Sequence, residues 1–279
     1  MRKSLHLSVA ALAIVILSGS ALAQTTPPTT TFYLDDPGPT GANLAGVYTS
    51  PYLGQVNYPT SAIVPVICDD FADESFVPEE WTAFVTSLSQ VESGSYGTPD
   101  NYLKFGDTTS NPSTSGLVLG SDSVTGSWSL TQDQAYDAAA ILAIDILNSS
   151  GTTQQYYSFA MWALFESSSA IGDLNEYSVN PTIVEQYLNT AIGDVTNPNA
   201  TIDGETVSAY LSGYNVTIYS YDTGATCPGQ AGGVCASTPP QEFITVTAPE
   251  ASTPVLLAVD LLGFIALMGF LRKRMSATV

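Results

Sequence analysis

The stretch Thr131–Leu147, TQDQAYDAAAILAIDIL, carries the clearest secondary-structure signal in the chain. Its apolar residues recur at helical spacing, at Ala135, Ala138, Ala139, Leu142 and Ile146. Thr131 is followed three positions later by Gln134, which forms a capping box and sets the start of the helix. We therefore expect a helix over Gln132–Leu147 at the centre of the fold.

Three more helices are predicted around this one. Gln155–Glu166 has an aromatic face, and Pro181–Ile192 is preceded by the capping residue Asn180 and followed by Gly193 as a stop. A short helix is also expected from Pro78 to Leu88, because two acidic residues favour its N-terminus and its apolar face comprises Trp81, Phe84, Val85 and Leu88.

Strand patterns lie on both sides of this helical section. The clearer candidates are Ala45–Tyr48, Ala62–Cys68, Val216–Tyr221 and Glu242–Thr247, and the weaker ones are Leu117–Leu119 and Ser127–Leu130. Pro65 indicates an edge position or a bulge in its strand. The sequence thus predicts an α+β fold, with a β-rich exported domain over residues 44–247 and a helical middle.

The N-terminus has the three parts of a secretory signal peptide. Arg2 and Lys3 precede the apolar run Leu5–Leu17, and Ala21-Leu22-Ala23 is a small-x-small cleavage site. We expect residues 1–23 to be removed and residues 24–43, which start with a Thr- and Pro-rich run, to form a flexible leader.

The C-terminal residues 248–279 contain an apolar run, Val255–Leu271, that is just long enough for one transmembrane helix. Asp260 is its one charged residue. The stop signal follows as Arg272, Lys273 and Arg274, which orients the C-terminus toward the cytoplasm.

A Pro-Glu dipeptide, a short span and a terminal basic cluster together resemble the PEP-CTERM sorting signal. Pro249 and Glu250 match its motif, and Ala251 replaces the usual second proline. The resemblance implies a membrane protease of the exosortase type as partner. It also implies transient anchoring in the inner membrane, then release to the cell surface or an extracellular matrix that contains exopolysaccharide.

The exported body between these ends is strongly acidic. Residues 24–249 hold one basic residue, Lys104, against 24 acidic ones, a formal charge of −23, and they contain no histidine. Such a body is a poor partner for nucleic acid, since phosphate binding needs lysine and arginine. Histidine-dependent catalytic triads and histidine-ligated metal sites are excluded as well.

An acidic stretch offers the one candidate cofactor, calcium, through its carboxylates Asp69, Asp70, Asp73 and Glu74. Their spacing is not that of an EF-hand loop, so a solvated acidic turn is the alternative interpretation. No other cofactor is expected.

Two enzymatic interpretations have little sequence support. Asp222-Thr223-Gly224 matches the aspartic protease tripeptide, but it occurs once and is also ordinary turn chemistry. A glycoside hydrolase would need a carboxylate pair, and no spacing selects a pair from Glu79, Glu80, Glu166 and Glu176. A secreted carboxylate-dependent glycoside hydrolase therefore remains only the alternative to a non-enzymatic protein.

Cys68 belongs to a second resemblance. Ile67-Cys68-Asp69, with the later helix segment Phe159-Ala160-Met161-Trp162, resembles the thioester domains of bacterial surface adhesins. In those domains a Cys and a Gln side chain form an internal thioester, but Ser158 stands at the Gln position here. Gln155 lies three residues earlier on the same helix face and could replace it, and a buried reduced Cys68 is the alternative.

The other two cysteines, Cys227 and Cys235, end a short glycine-rich segment and are expected to form a disulfide outside the cytoplasm. Taken together, the sequence indicates an exported, non-enzymatic envelope or matrix protein with a structural or adhesive role. Besides the glycoside hydrolase, a thioester-type adhesin module is the second alternative.

Overall fold

The computed structural model describes residues 28–38, 43–73, 75–93, 103–105, 117–221 and 240–248. The strands are β1 (Thr29–Asp36), β2 (Asn43–Leu44), β3 (Val47–Tyr48), β4 (Tyr52–Val56), β5 (Ile63–Cys68), β6 (Glu79–Ser87), β7 (Leu117–Asp122), β8 (Gly126–Thr131), β9 (Thr201–Ile202), β10 (Glu205–Thr206), β11 (Asn215–Tyr221) and β12 (Phe243–Thr247). The helices are α1 (Leu88–Ser93), α2 (Gln132–Asn148), α3 (Gly151–Glu176), α4 (Thr182–Thr196) and α5 (Val207–Ser212). The predicted mixture of strands and helices is confirmed.

Six strands close into an antiparallel barrel in the order β1-β4-β5-β12-β11-β6. Aromatic side chains fill it: the ring centroid of Phe32 lies 4.8 Å from that of Trp81 and 5.3 Å from that of Phe243. All three residues are fully buried, so the barrel is a packed core. Pro65 pairs with Leu53 of β4, whereas β12 pairs with β5 at Ile67 and Cys68. This one-sided pairing suits a residue without an N–H donor.

The predicted flexible leader over residues 24–43 is wrong for Thr29–Asp36, which form β1 between β4 and β6. Alternating burial explains the difference, because Phe32 and Leu34 point into the core while their neighbours are more exposed. The Thr- and Pro-rich residues that lead into this strand are typical of a flexible segment, and for that reason the sequence did not indicate β1.

The predicted helix from Pro78 to Leu88 is also wrong. Glu79–Ser87 form β6, and the helix α1 begins only at Leu88. Trp81 and Ala83 are buried at a spacing of two, and the segment pairs with β1 on one side and β11 on the other. The aromatic and β-branched residues of this segment favour a strand, and pairing on both sides outweighs the short helical pattern.

The central helix agrees closely with its prediction. α2 spans Gln132–Asn148, and the Gln134 side chain accepts a hydrogen bond from the Thr131 backbone N–H at 3.1 Å, as the capping box requires. Ala138, Ala139 and Ala140 are all fully buried. Small side chains on several faces let α2 pack against both α3 and α4, and these helices enclose the larger of the two hydrophobic cores.

Two helix boundaries differ from expectation. α3 is longer than the predicted Gln155–Glu166, but its backbone leaves helical geometry at Glu166, with φ −136° and ψ 52°. α4 continues through Gly193, the predicted stop, to Thr196. The Asn180 side chain does accept a hydrogen bond from the Thr182 N–H at 3.0 Å.

Short hairpins complete the fold. The two weaker strand candidates are part of β7 and β8, which pair with each other. The segment predicted as one strand over Ala45–Tyr48 forms the turn and the second strand of the β2–β3 hairpin. Ala45 and Gly46 form its turn with positive φ. No helix among the described residues is long and apolar enough to cross a bilayer. The signal peptide and the Val255–Leu271 span lie outside those residues.

Candidate functional site

Cys68 ends β5 at the boundary between the barrel and the helices. It is fully buried and pairs with Phe243 of β12. Its N–H donates to the Ser50 Oγ at 3.0 Å, and its thiol donates to the Asp70 carbonyl at 2.9 Å. Burial raises the pKa of the Cys68 thiol well above its usual value, and the Asp70 and Asp69 carboxylates raise it further. The thiol is therefore a poor nucleophile at neutral pH.

Ser158 of α3 lies at the same place. Its hydroxyl donates to the Ser50 carbonyl at 3.3 Å and to the Gln154 carbonyl at 3.1 Å, and the residue is fully buried. Ser50 thus hydrogen-bonds both positions at which the adhesin-like motif places its reactive pair. A hydroxyl in place of a glutamine amide supplies no acyl group for a thioester with Cys68.

Gln155 does not replace the missing amide in this arrangement. Its Nε2 donates to the carbonyl of Asn43 at 3.1 Å, at an exposed position. Cys68 and Ser158 are instead buried. The observed geometry is that of two buried polar groups satisfied by a shared neighbour.

A buried acidic cluster follows Cys68 directly in the chain. Asp69 and Asp70 have no exposed surface, and Glu242, just before β12, is 1% exposed. The Lys104 ammonium pairs with the Asp70 carboxylate and lies 2.9 Å from that of Asp73. Burial raises the pKa of Asp70 to about 6, although Lys104 acts in the opposite direction.

Glu242 is the residue of this cluster that the sequence did not single out as a site. One of its oxygens accepts the Tyr136 hydroxyl at 2.5 Å. The other accepts the Ser220 hydroxyl and the Lys104 N–H, the latter at 2.9 Å. These donors come from α2, from β11 and from the segment 103–105, so one carboxylate joins the barrel to the helical layer.

Asp69 lies beside Glu242 without a hydrogen bond from any described donor to either of its carboxyl oxygens. Burial raises the pKa of Asp69 well above its usual value, and the Glu242 carboxylate raises it further. Asp69 therefore holds its proton to a higher pH than an exposed aspartate does. Because both are buried, this pair offers no approach for a substrate.

The calcium candidates are not arranged around one point. Asp69 faces Glu242, whereas Asp70 and Asp73 hold Lys104, and Glu74 lies outside the described residues. Within the described ranges, no three His, Cys, Asp or Glu side chains are grouped as metal ligands. A lysine ammonium is the cation that Asp70 and Asp73 hold in this structure.

The hydrolase candidates have separate structural surroundings. The Glu166 carboxylate accepts the N–H groups of Phe71 and Ala72 at 2.6 and 2.7 Å. Glu79 is buried in β6 and accepts the Phe76 N–H at 2.8 Å, whereas Glu80 is partly buried and Glu176 is exposed. No described contact brings two of these four carboxylates together.

The remaining predicted sites lie outside the described residues. They are the tripeptide Asp222-Thr223-Gly224, Cys227 and Cys235, the sorting motif Pro249-Glu250-Ala251, and the basic residues Arg272, Lys273 and Arg274. Of the three cysteines, only Cys68 is described, and it is free and buried.

Comparison with known proteins gives no family for this chain. No family model and no curated protein sequence matches it. Among solved structures, the N-terminal thioester domain of the fibronectin-binding protein SfbI from Streptococcus pyogenes is similar at 11% identity and a TM-score of 0.34, covering 76% of this chain and 91% of that one. The N-terminal thioester domain of a surface protein from Clostridium perfringens has 10% identity and a TM-score of 0.37, covering 78% and 100%. At these TM-scores the likeness carries no argument about this chain.

Proposed function

We propose that this chain is an exported, non-enzymatic protein of the cell envelope or extracellular matrix, with a structural or adhesive role near exopolysaccharide. The observation that carries this proposal is the order of the tail: Pro249-Glu250, the span Val255–Leu271, then the basic triplet. The signal-like N-terminus and the acidic, histidine-free body agree with it.

The burial of the potentially reactive side chains supports a non-catalytic and non-covalent role. Cys68 lies in the core with Ser158 rather than a glutamine at the matching position, and the Asp69–Glu242 pair is closed to solvent. We expect calcium to stabilise the fold at most modestly, because it competes with Lys104 for Asp70 and Asp73.

The test of this proposal uses the protein isolated from cells that contain an exosortase. Mass spectrometry of the surface-exposed chain should recover no peptide from Leu256–Leu271, because the tail is removed. The same protein should be retained by the exopolysaccharide of its host without releasing reducing sugar. An intact tail on the surface would leave a plain membrane anchor, and sugar release would favour the hydrolase.

For the cysteines we propose a Cys227–Cys235 disulfide and a reduced Cys68. A loop this short contributes about 2–3 kcal/mol on the chain-entropy estimate. Peptide mapping after alkylation in denaturant should label Cys68 alone. A disulfide that includes Cys68 would refute this pairing, and a chain lighter by one ammonia with no label on Cys68 would show a thioester.

A further inference from the structure

A groove of about 400 Å³ lies where α1, α5 and β11 meet, away from the buried acidic cluster. Leu88, Leu211 and Val216 line it and are each at least nine-tenths buried. The volume is within the range of sites for small molecules, which are commonly apolar inside with a few polar groups at the edge.

The rim of this groove carries hydrogen-bonding side chains that are exposed. They include Glu92, Ser208 and Asn215, and none of these three side chains hydrogen-bonds another described residue. Tyr214 also lines the groove, and its ring centroid lies 5.4 Å from that of Tyr210. The groove thus combines free polar donors and acceptors with the side of a fixed aromatic ring.

The charge of the groove restricts its ligand. Its lining contains no lysine, arginine or histidine among the described residues, and it contains the Glu92 carboxyl group. Partial burial raises the pKa of Glu92, and the negative charge of nearby Asp133 raises it further. The same negative charge repels an anionic ligand from this face. A phosphate, sulfate or uronate group would find like charge and no cation here.

We propose that this groove binds a short segment of a neutral polysaccharide. Sugar hydroxyls both donate and accept hydrogen bonds, so they match the Glu92 carboxylate and the Asn215 amide, which accept and donate respectively. The apolar C–H face of a sugar ring packs on Tyr214, as apolar groups do on aromatic rings. This inference rests on the proposed association with exopolysaccharide and specifies where and to which class of polymer the chain binds.

The experiment titrates the full-length protein in detergent with cellohexaose, maltohexaose and mannohexaose, and with hexagalacturonate and spermidine as charged probes. Binding is measured by calorimetry for the wild type, Glu92→Gln and Asn215→Ala. Glu176→Gln is the matched control, because Glu176 is exposed and lies at the end of α3, outside the groove. Thermal melting of each variant checks that the fold is kept.

At least one neutral hexasaccharide should bind, about tenfold more weakly in Glu92→Gln and in Asn215→Ala, and unchanged in Glu176→Gln, since an unpaired polar group at a binding site costs roughly this much. Hexagalacturonate should bind more weakly than the neutral sugar. The proposal is overturned if no neutral hexasaccharide binds, if both groove variants bind it like the wild type, or if spermidine is the only ligand that needs Glu92.

A parallel retention assay on the host exopolysaccharide separates the two proposals. If the polymer retains the protein and both groove variants equally, the groove is not the site and the association stands. If the neutral hexasaccharide binds in the groove but the host polymer retains nothing, the association fails and the groove stands.

Discussion

Glu242 shows how a single carboxylate can connect distant parts of this chain. Its contacts with Tyr136, Ser220 and Lys104 span 138 residues of sequence. From the sequence alone, Glu242 is only the first residue of a predicted alternating strand. The donors that surround it come close only when the barrel closes, so no local pattern marks it as a site residue. The neighbouring Asp69 and Asp70 were recognised as an acidic stretch, but not as a buried cluster.

The Tyr136–Glu242 hydrogen bond should contribute measurably to stability. In Tyr136→Phe, the ring stays and the buried carboxylate loses one donor, so we expect the free energy of unfolding to fall by about 1–3 kcal/mol. Tyr187→Phe is the control, because Tyr187 is only partly buried and stacks on Tyr157 at 4.1 Å through its ring. Urea unfolding measures both, and equal losses in the two variants would contradict the role given to Glu242.

The elements that the sequence predicted best are those whose local pattern agrees with their packing. α2 has a capping box and regular apolar spacing, and the structure keeps both. β6 shows the opposite case: its charged start and its four-residue apolar spacing resemble a helix, but strands β1 and β11 pair with it on both sides. Its partners lie 45–55 positions away in β1 and 130–138 positions away in β11, and no local pattern reports them.

The closure of the barrel also depends on pairing between strands that are distant in the sequence. Short alternating segments predicted strands at both ends of the domain, but their order around the barrel follows from long-range pairing, as between β11 and β6. The sequence indicated the consecutive residues Cys68, Asp69 and Asp70 of the candidate site, and its resemblance to thioester domains paired Ser158 with Cys68. Ser50, Tyr136 and Glu242 join them through the fold alone.

A substitution at Gly193 tests the difference between the predicted and the observed end of α4. It lies inside α4, and a Cβ added to it would meet no atom within 4 Å. Gly193→Ala should therefore stabilise the protein by about 0.5–1 kcal/mol, because alanine loses less backbone entropy in a helix than glycine. A loss of stability on thermal or urea unfolding would mean that Gly193 ends the helix, as the sequence alone predicted. Gly172→Ala in α3, also without a close neighbour, is the matched substitution.

Over the whole molecule, carboxyl groups lie both in the interior and on the surface. Residues 24–249 include 24 acidic residues against Lys104 alone. Burial raises the pKa of Asp70 to about 6, of Asp137 to about 7 and of Asp145 to about 6, and nearby carboxylates add to the effect at the last two. The folded chain therefore binds protons that the unfolded chain has already released.

This difference fixes the sign of the pH dependence. A carboxyl group whose folded pKa is raised destabilises the fold once the pH exceeds its unfolded value, and the loss is complete above its folded value. The window set by these groups runs from about pH 4 to about pH 7, and repulsion among the surface carboxylates acts in the same direction. Residues 24–279 contain no histidine, so no histidine in this part of the chain titrates within the window to oppose it.

We therefore expect the free energy of unfolding to be higher at about pH 5 than at about pH 8. Asp137→Asn should reduce this difference, because it replaces a carboxyl group whose pKa is raised to about 7 by a neutral side chain of the same shape. Glu205→Gln removes one charge from an exposed position and controls for net charge alone. Urea unfolding at a series of pH values provides the measurement. A free energy of unfolding that rises from pH 5 to pH 8 would contradict the assignment, as would an Asp137→Asn variant with the wild-type slope.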